Sequence, residues 1–216
     1  MERVFIFDLD GTVLDTLEDI GLACNFALKE QGYPEHPVAD YALMVGNGFL
    51  MLVKRALPKG LKLSEEAFLS VVNTAKEAYT KGLCVKTKPY PQMEAVLEEL
   101  DLRGCKLSVL SNKPEPLTQK LIAHYFPKVP FHPVYGGRSD YPLKPDPTRL
   151  LQIISELKVK KEDCYFVGDS QVDMETASRA GLLALGASWG FRGAKELLQF
   201  GASHLLLDAS DLLKFI

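Results

Sequence analysis

The sequence of 216 residues contains only four cysteines and one tryptophan, and it has no large excess of charge of either sign. The cysteines lack the Cys-x-x-Cys spacing of zinc sites, so we expect neither a structural zinc ion nor a disulfide framework. A net charge of −3 argues against nucleic acid or an anionic membrane as a partner. No apolar run approaches the roughly 20 residues of a membrane-spanning helix. No signal peptide is evident, and we predict a cytoplasmic protein.

The most informative stretch lies close to the N-terminus. Val4–Phe7 is an apolar run long enough for a strand that is buried on both faces, and it ends abruptly at Asp8. A second carboxylate follows at Asp10, and Gly11 allows the backbone to turn. Carboxylates at the end of a buried strand are costly unless a cation is nearby. This stretch therefore predicts a binding site at the carboxyl end of the first strand.

The chain then divides into a helical block and a block in which strands and helices alternate. Residues 16–86 carry only helical patterns, with a predicted capping box at Thr16 and Asp19 and an N-cap at Ser64. The alternating pattern after this block predicts a parallel sheet with right-handed crossovers. Further strands are expected at residues 106–110, 133–135, 164–167, 182–187 and 205–207. The helical block is therefore interpreted as an insertion into an α/β domain.

Three of the predicted strands end in polar clusters. The carboxyl ends of parallel strands share one edge of a sheet, so these clusters are expected to converge. They are Asp8 with Asp10, Ser111 with Asn112, and Asp169 with Asp173. Lys144 lies in a loop that two prolines stiffen. Carboxylates, a hydroxyl and a lysine together suit a hard divalent cation and a phosphate group.

These motifs, in this order, resemble those of the haloacid dehalogenase superfamily. They read Asp-Leu-Asp-Gly-Thr at 8–12, Ser-Asn-Lys-Pro at 111–114, Lys-Pro-Asp-Pro at 144–147 and Gly-Asp-Ser-Gln-Val-Asp at 168–173. The resemblance implies a Rossmann-like parallel sheet in a three-layer α/β/α core, formed by residues 1–15 and 87–216. It also implies a helical cap formed by residues 16–86.

The resemblance further implies a role for each matching residue. Asp8 would be the nucleophile, Asp10 the general acid and base, and Lys144 the residue that steadies the transferred phosphoryl group. The cofactor would be Mg²⁺, with predicted metal ligands Asp8, Asp10, Asp169 and Asp173. The predicted substrate-binding residues are Thr12, Ser111, Asn112, Lys144, Gly46 and Asn47.

The resulting functional prediction is a phosphatase that acts on a small phosphorylated metabolite, as a monomer or homodimer. Residues 45–48 (Val-Gly-Asn-Gly) and 189–192 (Trp-Gly-Phe-Arg) are similar to phosphoglycolate phosphatases. An inorganic pyrophosphatase and a phosphotransferase similar to β-phosphoglucomutase are the alternatives. An inactive binding module is disfavoured by the presence of Asp8 and Lys144, and a dehalogenase by the presence of Asp10.

Overall fold

The computed structural model describes residues 3–216. The chain forms two compact units, one made of the segment that ends at Asp15 together with Pro89–Ile216, and one made of Thr16–Lys88. The second unit is slightly longer than the insertion predicted from the sequence. Among the described residues, no helix is both long enough and apolar enough to cross a membrane.

The first unit contains six strands: β1 (Val4–Phe7), β4 (Lys106–Pro114), β5 (Val134–Gly137), β6 (Cys164–Gly168), β7 (Leu183–Ala187) and β8 (His204–Leu206). They form one sheet in the order β5-β4-β1-β6-β7-β8, and each neighbouring pair is parallel. The short strands β2 (Leu14–Asp15) and β3 (Lys88–Pro89) form a separate pair. The predicted parallel α/β sheet is confirmed, although β4 continues four residues beyond its predicted end at residue 110.

Helices flank this sheet because side chains of successive strand residues point to opposite faces. Val4 and Ile6 pack in an apolar cluster with residues of α6 (Thr148–Leu157) and α7 (Gln171–Ala180). Phe5 and Phe7 instead belong to a chain of aromatic contacts. The remaining α-helices of this unit in the described chain are α4 (Met93–Leu102), α5 (Glu115–Tyr125) and α8 (Gly193–Gln199). All four side chains of β1 are fully buried, which accounts for its continuous apolar sequence.

The strand order places a topological switch point beside β1. The chain forms β1, β4 and β5 on one side of the sheet and then returns to add β6, β7 and β8 on the other side of β1. The strands that follow β1 in the chain are therefore added first on one side of β1 and then on the other. In open α/β sheets, ligands bind at the carboxyl ends of the strands at such a point. Here that edge receives the ends of β1, β4 and β6.

The second unit is helical, with α1 (Leu17–Glu30), α2 (Gly48–Ala56), α3 (Glu65–Lys81) and a 3-10 helix at Val38–Leu43. A buried polar network links its parts. The Tyr41 hydroxyl donates to Asn25 Oδ1 at 2.7 Å, and Asn25 Nδ2 donates to the carbonyl oxygen of His36 at 2.8 Å. The predicted N-cap at Ser64 is confirmed, because its hydroxyl accepts the backbone N–H of Ala67 at 3.1 Å.

The predicted capping box at the start of α1 is wrong. Thr16 is the N-cap residue of α1, but its side chain makes no capping hydrogen bond to the helix. The buried Asp19 carboxylate instead accepts the backbone N–H groups of Lys86 and Thr87, at 2.8–3.1 Å, and the Thr87 hydroxyl at 2.7 Å. Asp19 therefore ties the first helix of this unit to the end of the same unit.

Candidate active site

A buried chain of charges begins at Asp8, immediately after β1. Lys144 Nζ lies 2.8 Å from Asp8 Oδ1 and 2.7 Å from Asp173 Oδ1. Asp173, in the first turn of α7, also accepts hydrogen bonds from the backbone N–H and the hydroxyl of Ser170, at 3.1 and 2.6 Å. One ammonium group is thus shared by two carboxylates, one directly after β1 and one in the helix that follows β6. The ends of the paired strands β1 and β6 thus lie side by side, and Lys144 contacts a carboxylate that follows each of them.

Burial dominates the electrostatics of these charged side chains. Loss of hydration raises the pKa of Asp8 to about 7, and the attraction of Lys144 only partly offsets this. Burial also raises the pKa of Asp169 well above its ordinary value, and repulsion from Asp173 and Asp8 adds to the increase. Burial disfavours the charged form of Lys144, but Asp173 and Asp8 outweigh that cost and raise its pKa. The site therefore holds more negative charge than its lysine can neutralise.

The segments around Asp169 approach it very closely. Asp169 Oδ2 accepts the backbone N–H of Phe191 at 2.7 Å, and the Thr12 hydroxyl lies 3.4 Å from Oδ1. A Cβ atom on Gly11 would lie 2.2 Å from Asp169 Oδ2, and the φ of Gly11 is +87°. Only glycine fits at this position, both because of the contact and because of the left-handed backbone. Trp189 Nε1 donates to the carbonyl oxygen of Thr12 at 2.9 Å and so ties the two segments together.

Lys113 is a site residue that the sequence reasoning missed. Its Nζ lies 2.8 Å from Asp10 Oδ1 and 2.9 Å from Asp10 Oδ2, and its side chain is only 3% exposed. The signal was available in the strand pattern. Once β4 is extended to Pro114, residues 111 and 113 share one side of the strand and residue 112 lies on the other. The Lys113 side chain therefore lies on the same side of β4 as Ser111 and reaches Asp10 in the motif at residues 8–12.

Asn112, which was expected beside the phosphate, binds the backbone of Lys144. Its Nδ2 donates to the Lys144 carbonyl oxygen at 3.0 Å, and its Oδ1 accepts the Lys144 N–H at 2.8 Å. Ser111 is buried, and its Oγ accepts the backbone N–H of Lys113 at 3.2 Å. Asn112 thus fixes the position from which the Lys144 side chain reaches Asp8.

A second brace holds the loop that carries Lys144. Arg149 is buried, and its Nη2 donates to Glu115 Oε2 at 2.7 Å. Its guanidinium carbon lies 3.6 Å from the ring centroid of Tyr135 and 4.2 Å from that of Tyr141. The contacts join β5, the following loop and the first turn of α6. No motif in the sequence indicated this arrangement.

Gly46 and Asn47 belong to the helical unit, in the turn before α2. Asn47 Oδ1 accepts a hydrogen bond from Arg55 Nη2 at 2.7 Å, and Arg55 Nη1 donates to the carbonyl oxygen of Met44 at 2.7 Å. Arg55 therefore stabilises this turn from within its own unit. A contact of Gly46 or Asn47 with substrate stays a prediction.

The donor set fits a divalent cation. Asp8, Asp169 and Asp173 each offer one carboxylate oxygen, and these three atoms lie within 4.8 Å of one another. Asp8 Oδ1 is buried and has no aligned hydrogen-bond donor among the described residues. Four carboxyl groups, counting Asp10, face the two ammonium groups of Lys113 and Lys144, so full ionisation would leave two negative charges for a cation to balance. Hard carboxylate oxygens with this charge suit Mg²⁺.

Comparison with known proteins agrees with this geometry. The family model for haloacid dehalogenase-like hydrolases matches residues 5–187. The phosphoglycolate phosphatase of Aquifex aeolicus is 35% identical over 189 residues, which cover 88% of this chain and 86% of that protein. The phosphoglycolate phosphatase of Psychrobacter arcticus is 31% identical over 220 residues, which cover 100% of this chain and 96% of that protein. The crystal structure of a predicted phosphoglycolate phosphatase from Haemophilus somnus has a TM-score of 0.90 at 28% identity, over 99% of this chain and 97% of that chain. The chain belongs to the haloacid dehalogenase-like hydrolase family.

Proposed function

We propose that this protein is a Mg²⁺-dependent phosphatase that hydrolyses a small phosphate monoester through an aspartyl phosphate on Asp8. The observation that carries the proposal is the buried Asp8 carboxylate at the end of β1, within 2.8 Å of Lys144 and close to Asp169 and Asp173. The two relatives named phosphoglycolate phosphatase support 2-phosphoglycolate as the leading substrate.

In the first step, an Asp8 oxygen attacks phosphorus, and the bond from phosphorus to the leaving oxygen breaks while Asp10 gives that oxygen a proton. In the second step, water attacks the phosphoryl group on Asp8 and gives a proton to Asp10, and the bond from phosphorus to Asp8 breaks. Phosphate leaves, and Asp8 is a free carboxylate again. Lys144 lies where its charge can oppose the negative charge of the transferring group.

Mg²⁺ would be held by Asp8, Asp169, Asp173 and the backbone of Asp10, and when bound it would neutralise charge on the carboxylates and on the phosphate. The hydroxyls of Ser111 and Thr12 would bind phosphate oxygens, and Asn112 would act through Lys144. Gly46 and Asn47 would contribute to substrate recognition from the helical unit.

Steady-state turnover on a panel of phosphate compounds tests the proposal. The panel contains 2-phosphoglycolate, inorganic pyrophosphate, a hexose phosphate and p-nitrophenyl phosphate, each measured with Mg²⁺ and with excess chelator. We expect the highest kcat/KM for 2-phosphoglycolate and no turnover in chelator. A preference for pyrophosphate or for hexose phosphate would replace the substrate assignment with one of the alternatives. Full activity in chelator would refute the Mg²⁺ requirement.

A matched pair of variants tests the covalent step. Asp8→Asn keeps the shape of the side chain but removes the attacking oxygen's charge, so turnover should disappear. Asp101→Asn makes the same chemical change in α4, away from the charge chain, and should retain wild-type activity. Mass spectrometry of acid-quenched wild-type enzyme should find one added phosphoryl group on a peptide that contains Asp8. Turnover by Asp8→Asn at a rate near that of the wild type would refute the mechanism.

A further inference from the structure

We propose that Lys113 is a positioning residue that holds the Asp10 carboxylate in place for proton transfer to the leaving group and from water. The inference rests on the proposed function, because it assigns a task to Lys113 within the phosphatase reaction. Lys113 has no part in the two reaction steps described under the proposed function. Lys113 touches Asp10, and Asp10 would touch the reacting atoms.

The contact between the two side chains has the geometry of a directed interaction. Lys113 Nζ donates to both Asp10 oxygens, at 2.8 and 2.9 Å. The exposed fractions of the two side chains are 3% and 11%, so solvent screens the pair weakly. Exposed ion pairs contribute little to stability and are mobile. A buried pair in which the lysine contacts both carboxylate oxygens instead fixes the orientation of the carboxylate plane.

The backbone of Lys113 is itself held on both sides. Its N–H donates to Ser111 Oγ at 3.2 Å, and its carbonyl oxygen accepts the Thr118 hydroxyl at 3.2 Å. Thr118 lies in α5, directly after β4. The ammonium group is therefore presented from the end of a strand and the start of a helix, both of which are rigid elements. Such support is what a group needs if it is to hold another residue within a fraction of an ångström.

The same contact serves both protonation states of Asp10. In the first step, the protonated carboxyl can keep one oxygen on Lys113 while the other oxygen gives its proton to the leaving oxygen. In the second step, the ionised carboxylate, held by Lys113, takes a proton from the attacking water. Without the ammonium group, Asp10 can rotate about its side-chain bonds, and fewer of its conformations reach the reacting oxygen. Proton transfer by a positioned group contributes about 10²–10⁴-fold to rates.

The leaving group provides a test that a merely structural role would not satisfy. An alkyl phosphate such as 2-phosphoglycolate needs protonation of its leaving oxygen, whereas p-nitrophenolate departs without it. The parameter kcat/KM covers the steps up to departure of the leaving group. We expect Lys113→Met to lower kcat/KM about 100-fold for 2-phosphoglycolate and less than about 5-fold for p-nitrophenyl phosphate. Lys113→Arg keeps a positive charge that pairs with carboxylates. For 2-phosphoglycolate, its kcat/KM should therefore be at least about 10-fold higher than that of Lys113→Met.

Two further variants complete the experiment. Asp10→Asn should show the same dependence on the leaving group, and the double variant Asp10→Asn/Lys113→Met should lose nothing beyond it, because the two residues act as one unit. Lys214→Met removes a lysine that pairs with Asp211 at the surface, and it should leave both substrates unaffected. Thermal unfolding of each variant checks that the fold persists.

The outcomes separate this inference from the proposed function. Equal losses on both substrates, or no loss on either, would overturn the role of Lys113 while the enzyme remained a phosphatase. Additive losses in the double variant would do the same, because they would show that Lys113 acts independently of Asp10. If the wild-type protein hydrolysed no phosphate ester, the proposed function would fail and this inference would fail with it. If Lys113→Met did not fold, the leaving-group dependence of Lys113→Arg relative to the wild type would decide: a larger deficit on 2-phosphoglycolate supports the inference, and equal deficits refute it.

Discussion

Replacing Asp8 by asparagine should stabilise the metal-free protein at pH 8 much more than at pH 5. Burial raises the pKa of Asp8 from 3.8 to about 7 in the folded protein. Between these two values the folded chain keeps a proton that the unfolded chain loses, so stability falls as the pH rises from about 4 to about 7. Asparagine has no proton to lose and therefore escapes this fall.

The size of the effect follows from the shift. One pKa unit corresponds to about 1.4 kcal/mol, so the increase from pH 5 to pH 7 costs the wild type about 2–3 kcal/mol through Asp8. Above pH 7 the cost of ionising Asp8 has been incurred in full. For a chain of this size, such a change corresponds to a shift of about 5–10 °C in Tm. The raised pKa of Lys144 adds no slope in this window, because the group is charged in both the folded and the unfolded chain throughout.

Urea unfolding in excess chelator, at pH 5 and at pH 8, provides the measurement. Trp189 is the only tryptophan, and it belongs to the same unit as Asp8, so its fluorescence reports the unfolding of that unit. Asp169 also has a raised pKa and will leave a residual slope in the Asp8→Asn variant. Asp101→Asn should follow the wild type at both values of pH. If Asp8→Asn and the wild type lost equal stability between pH 5 and pH 8, the reasoning would be refuted, because Lys144 would then compensate fully for the burial of Asp8.

Three further predictions follow from particular contacts. Mg²⁺ added at pH 8 should change the fluorescence of Trp189, because the segment that contains Trp189 is hydrogen-bonded to Thr12 and Asp169. Asp169→Asn should abolish this response. An unchanged signal in the wild type would contradict the predicted metal site. Asp19→Ala should lower the free energy of unfolding of the helical unit by about 2–3 kcal/mol, because it leaves buried N–H groups without an acceptor, and circular dichroism during thermal unfolding measures this loss. Gly190→Ala should lower the free energy of unfolding by about 1–3 kcal/mol, because the new Cβ would lie 2.3 Å from Asp169 Cβ. The displacement of Asp169 should also weaken Mg²⁺ binding, which calorimetry measures. Wild-type affinity for Mg²⁺ in this variant would show that Asp169 does not need its present position.

The sheet and its polar edge were predictable from the sequence because they depend only on the presence of buried, parallel strands. Continuous apolar runs such as Val4–Phe7 indicate strands buried on both faces, and their alternation with helices indicates a parallel sheet. The carboxyl ends of such strands meet, so Asp8, Ser111 and Asp169 could be assigned to one edge before any distance was known. The ion pair between Lys144 and Asp8 was not predictable in this way, because Lys144 lies in a loop and not at the end of a strand.

The features that the sequence did not reveal depend on contacts between distant residues or on the exact end of a strand. Asp19 fits a local capping pattern, but its carboxylate binds residues 86 and 87, whose N–H groups are buried and need an acceptor. Lys113 was missed because the strand was expected to end at residue 110. Three more residues of extended backbone turn Lys113 and Ser111 to the same side and direct Asn112 to Lys144.

The two lysines of the site pair with three of its four carboxylates. Lys144 pairs with Asp8 and Asp173, whereas Lys113 pairs with Asp10, although Asp8 and Asp10 are only two residues apart. The turn after β1 directs the two aspartates to different lysines. The proposed nucleophile therefore keeps its own counter-charge while the proposed proton donor exchanges a proton with the substrate. A change in the charge of Asp10 during the reaction need not move Lys144, so the position of Asp8 can persist through both steps.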